Sequence, residues 1–82
     1  MSFPRLIMPT RAEVTALYAV AGFHNGARRH LHLFGRDDVD IGFASGMLAE
    51  LHPGRAGRDF TSAQLADSVR RVIQFWDARP TK

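Results

Sequence analysis

The sequence predicts an α+β fold, a small antiparallel β-hairpin with two helices packed on one face, and three observations lead there. Asn25-Gly26 is the dipeptide that most favours a two-residue type I′ turn, because both residues tolerate positive φ. With that pair as the turn, Val20 meets Leu31 and Tyr18 meets Leu33 on one face, while Ala21 meets His30 and Ala19 meets His32 on the other. Downstream, two stretches carry apolar residues at helical spacing. The same residues allow one alternative, a small all-α four-helix domain in which 11–34 form two short helices joined at 23–26.

Taken in order, residues 1–9 hold a short apolar run, Leu6 to Met8, between prolines, read as a loose end or a third, edge strand. Thr10-Arg11-Ala12-Glu13 fits a capping box, and Val14, Leu17, Tyr18 and Ala21 fit a helical face, which keeps the all-α alternative open. A helix is expected from about Asp38 to Leu51, with Asp37, Asp38 and Asp40 at its positive end and Ile41, Ala44, Met47, Leu48 and Leu51 as its apolar stripe. His52-Pro53-Gly54 stops it, and Arg55 to Asp59 form an exposed loop. The clearest helix is 62–78. Thr61 and Gln64 make its capping box, Phe60 staples onto Leu65, and Leu65, Val69, Val72, Ile73 and Trp76 share a face. Asp67 and Arg71 have the spacing of a helical ion pair, and 80–82 form a flexible tail.

The 82 residues are read as one domain, long enough for a core and short for an enclosed substrate cavity. Cysteine is missing, which excludes disulfides and thiolate metal sites and favours a reducing, cytoplasmic setting. The apolar run near the start is too short for a signal peptide, and no stretch suits a membrane span. The formal charge is +3, and 10 of the 11 basic residues are arginine, a bias that serves phosphate or carboxylate pairing and that a high-GC genome also produces.

No catalytic set emerges. On a strand, His30 and His32 would point to one side, a spacing that suits zinc, with His24, His52 or the Asp37/Asp38/Asp40 cluster as further ligands; two solvated histidines explain it more simply. Ser45 and Ser62 lack a nucleophile elbow, and Gly54-Arg55-Ala56-Gly57-Arg58 lacks the lysine and following Ser/Thr of a phosphate-binding loop. A helix-turn-helix reading through Leu31, Gly35, Ile41 and Ala44 would aim the acidic run Asp37-Asp38-Val39-Asp40 at DNA phosphates. No enzyme activity, cofactor or small-molecule substrate is therefore expected.

The surface is left as the working part. The expected function is a non-catalytic protein-interaction module that regulates or inhibits a partner protein. Phage- or mobile-element-borne inhibitors of host machinery are examples of the type on base rates, not on any motif. The contact residues proposed are Arg28, Arg29, Arg55, Arg58 and Phe75, the last because it lies a step around the helix from Trp76; Phe3 is a further exposed aromatic. The alternative is an arginine-rich nucleic-acid-binding protein, which needs the fold to gather the arginines on one face.

Overall fold

The computed structural model describes residues 10–80. Helix α1 runs Arg11–Leu33, α2 Ile41–Leu51 and α3 Ser62–Asp77, with a 3-10 turn at Gly57–Asp59. There is no strand among the described residues, so the expected α+β hairpin is replaced by an all-helical fold. The four-helix alternative is met only in class, because residues 11–33 form one helix rather than two. The edge strand proposed at Leu6–Met8 lies outside the described residues.

Asn25-Gly26 sits inside α1, and packing explains why the turn signal loses. Phe23, Ala27 and Leu31 fall on one helical face and are all buried. Burying Phe23 and Leu31 stabilises by about 1.5–3 kcal/mol each, against about 1 kcal/mol lost by a glycine in a helix interior. Gly26 also has a positive role. A methyl group there would run into the Leu65 side chain, so the missing Cβ lets α3 close onto α1. One turn earlier, a Cβ on Gly22 would lie 2.6 Å from the Ala56 Cβ, and a Cβ on Gly57 would lie 2.7 Å from the Gly22 carbonyl oxygen. The segment after α2 is thereby seated on α1, backbone against backbone.

The helix ends follow local chemistry. Gly35, at φ 68°, lets α1 stop with the Arg36 N–H donating to the Leu31 carbonyl at 2.8 Å and the Gly35 N–H to His32 at 3.0 Å, a Schellman-type ending. The second helix starts at Ile41, later than the expected Asp38, because Asp40 is its cap and accepts from the Gly42 N–H at 2.9 Å. Gly54, at φ 78°, turns the chain after α2. The 3-10 turn is closed by Asp59, which accepts from the Ala56 N–H at 2.8 Å. For α3 the Thr61–Gln64 capping box forms as expected, with bonds of 3.1 and 3.0 Å, and the helix ends at Asp77 rather than 78.

Val39, from the α1–α2 connection, joins Ala44, Leu48, Leu65, Val69 and Val72 in the core beneath α1. Asp37 and Asp38, expected as helix-start charges, serve elsewhere. Asp38 takes both arms of Arg36 at 2.9 and 3.0 Å, and Arg36 also grips Asp77 at 2.9 and 2.7 Å. One guanidinium thus ties the α1–α2 connection to the end of α3, and it holds both carboxyls below their ordinary range. Asp67 pairs with Arg70 at 2.6 Å, not with Arg71. Over the same end, Arg79 lies on the Trp76 ring, 3.3 Å from its centroid, and Trp76 meets Phe43 edge-on at 5.1 Å.

Two substitutions separate packing glycines from idle ones. Gly46, in α2, has open space where a Cβ would go, so Gly46→Ala is expected to raise stability by about 0.5–1 kcal/mol. Gly22→Ala gains the same helical preference but must push back Ala56, for a net loss of about 1–3 kcal/mol. Urea midpoints moving in opposite directions would agree; equal gains would mean that α1 does not touch the Ala56 segment so closely. Ser45 is fully buried and its hydroxyl has no hydrogen-bond partner among the described residues. Ser45→Ala is therefore expected to stabilise by about 1 kcal/mol, read in the same unfolding assay.

Candidate interaction surface

On a helix, residues two apart diverge by about 200°. His30 accordingly turns inward and is buried, with its ring against Phe34, while His32 is exposed beside Asp37 at 3.3 Å. The pairing that made zinc conceivable on a strand does not exist here. Among the described residues no three His, Asp or Glu side chains gather as metal ligands.

The structure does form one serine–histidine pair, and neither serine singled out in the sequence belongs to it. His52 Nε2 lies 2.8 Å from the Ser68 hydroxyl, and its ring packs on Phe60 at 4.5 Å and Phe23 at 6.1 Å between centroids. Ser68 is buried, so a substrate carbonyl cannot reach it; the pair links the end of α2 to α3. Burial pushes the His52 imidazole below the ordinary histidine range, and Arg55 and Arg71 add to the shift. His30 is lowered by burial, then by Arg29 and Arg70.

The arginines divide by use. Arg36 is consumed by its two carboxylates, Arg70 by Asp67 and the Phe34 ring, and Arg79 by Trp76. Of the proposed contact residues, Arg55 and Arg58 come together. With Tyr18, Gly22, Gly54 and Ala56 they line an open groove of about 380 Å³ between α1 and the segment that follows α2. The Arg55 guanidinium lies over the Phe60 ring, 4.5 Å from its centroid, an arrangement that leaves N–H groups for further pairing. Arg28 lines a different hollow, of about 300 Å³, with Leu31, Asp37, Val39 and Ile41. Arg29 is exposed on α1. The single arginine face that nucleic-acid binding asked for is thus split between two concavities.

Apolar exposure concentrates on α1. That helix, 23 residues or about 34 Å, outruns α2 and α3, and its buried positions begin only at Phe23 among residues whose burial is described. Ahead of that point Leu17 is 65% and Tyr18 73% exposed, and at the end of the same helix Leu33 is 65% exposed. Phe75 is 42% exposed, whereas Trp76 packs against the core. Phe3 lies outside the described residues. Leu17 and Tyr18 were missed as surface residues because the hairpin register faced Tyr18 toward Leu33; their helical phase, read with Phe23 as the inward position, was the signal available. No helix among the described residues is long and apolar enough to cross a membrane. Compared with known proteins, the chain matches no family model, no curated protein and no solved structure.

The depressed histidines set a pH dependence. Their unfolded forms take up protons near pH 6.5 and their folded forms only at lower pH, so stability is full above about 6.5 and declines as pH falls through the folded values. The urea midpoint is expected to drop between about pH 7.5 and 5.5, with a smaller drop in His52→Asn. An unchanged slope in that variant would remove His52 from the account.

Proposed function

We propose that this chain is a non-catalytic interaction domain that binds a protein partner and regulates or inhibits it, working in the cytoplasm. The observation that carries the reading is the exposure of Leu17 and Tyr18 on α1, ahead of Phe23, the first buried position among the residues whose burial is described. Large exposed apolar side chains lose their contact with water when a partner covers them, at about 25 cal/mol per Å². Aromatic residues and arginines are the usual energetic centres of such contacts, and Tyr18 lines the same groove as Arg55 and Arg58.

Arg29, Phe75 and Arg28 stand apart from that ridge as secondary candidates. Nucleic-acid binding is the weaker reading, since Arg28 lies beside Asp37 in a separate hollow and three further arginines are engaged within the fold.

The test is affinity capture of the tagged protein in its native host, wild type against Leu17→Glu, with circular dichroism confirming that the variant keeps its helices. The expected result is a protein retained in fixed ratio by the wild type and reduced at least about tenfold in the variant, the equivalent of about 1.4 kcal/mol. Equal recovery by both, or recovery abolished by nuclease, would overturn the reading.

A further inference from the structure

We infer that the groove between α1 and residues 54–59 receives an extended acidic segment of the partner protein, its carboxylates pairing with Arg55 and Arg58. This rests on the interaction reading above and names its ligand chemistry. Of the residues lining the groove, Gly22, Gly54 and Ala56 carry at most a methyl group, so another backbone can approach closely there. Tyr18, Arg55, Arg58 and Asp59 supply the rest of its lining.

The charge on the groove is available. Two guanidiniums against one carboxylate, Asp59, leave the groove net positive; Asp59 accepts from the Ala56 N–H at 2.8 Å and keeps its own charge. Arg58 is exposed and makes no ion pair among the described residues. The Arg55 guanidinium carbon lies 4.5 Å from the Phe60 ring centroid, and its hydrogen-bond contact among the described residues is a long one, 3.4 Å, to the Asp59 carbonyl oxygen. A guanidinium already packed on a ring loses less freedom when it binds a carboxylate. Carboxylates are favoured over nucleic-acid phosphates because the groove gathers two arginines rather than a continuous basic stripe, and because its volume, about 380 Å³, suits a few side chains rather than a duplex.

The experiment uses the full chain labelled with ¹⁵N and titrated with a short oligoglutamate peptide, with its glutamine counterpart and a single-stranded oligonucleotide as controls. Saturable shifts centred on the amides of Gly22, Gly54, Arg55, Ala56 and Arg58 are expected. They should be weaker by about tenfold in Arg58→Glu and largely kept in Arg58→Lys, and not reproduced by the glutamine peptide. Silence with oligoglutamate, shifts spread equally over Arg28, Arg29 and Arg70, or tighter binding of the oligonucleotide in the same groove would each overturn the inference. The two proposals fail separately. Loss of the captured partner in Leu17→Glu but not in Arg58→Glu removes the groove and leaves the interaction domain standing.

Discussion

Everything in this fold depends on how closely α1 can be approached at Gly22 and Gly26. Gly26 admits Leu65, and with it the first turns of α3; Gly22 admits Ala56 and Gly57, and with them the connection between α2 and α3. A side chain at Gly22 would press on Ala56 and its backbone, whereas one at Gly26 would have to displace the end of the Leu65 side chain, and a core this small has few contacts to spare. The remaining devices keep what the glycines allow. Arg36 bridges Asp38 and Asp77 at one end of α3, and the Thr61–Gln64 box closes the other. Exposed ion pairs are individually weak, but a planar guanidinium with two bidentate partners fixes geometry better than isolated pairs do.

Legibility followed the distance over which each signal acts. The Thr61 box, the Phe60–Leu65 neighbourhood and the stripe from Leu65 to Val72 are decided within one helix, and α3 came out within a residue of its expected end. The chain reversal at His52–Gly54 is equally local. The first third failed because its two signals conflict. Asn-Gly favours a hairpin by backbone preference alone, whereas the value of Gly26 as a packing notch depends on Leu65, distant in sequence. The hairpin register matched apolar residues convincingly, yet a two-stranded ribbon is marginal without a further strand or a helix to cover it. A continuous helix buries Phe23, Ala27 and Leu31 together. Tertiary burial outweighed local preference.

The candidate site was half legible for the same reason. Arg55 and Arg58 are neighbours in a glycine-bounded loop, and their joint exposure follows from that loop. Tyr18 could join them only once α1 was continuous, because its place in the groove is set by the helix turn that also carries Gly22. The opposite error came from counting arginines as one population. Arg36, Arg70 and Arg79 look no different in sequence from Arg58, but carboxylates and rings within the fold take them up. A basic composition therefore overstates the charge that a partner meets.

Fold and surface share residues at one point, and this bears on how the groove would work. Gly22 and Ala56 are both the contact that seats the post-α2 segment on α1 and part of the groove's lining. Asp59 closes the 3-10 turn while leaving the adjacent Arg58 unopposed, and Phe60 is both a core-facing ring and the platform for Arg55. The groove is thus assembled by the same contacts that complete the fold, with little left to order on binding. Such preorganisation lets a shallow concavity on a small domain retain more of its contact energy as affinity. It also ties recognition to stability, since any change that loosens the Ala56–Gly57 segment from α1 must blunt the groove along with the fold.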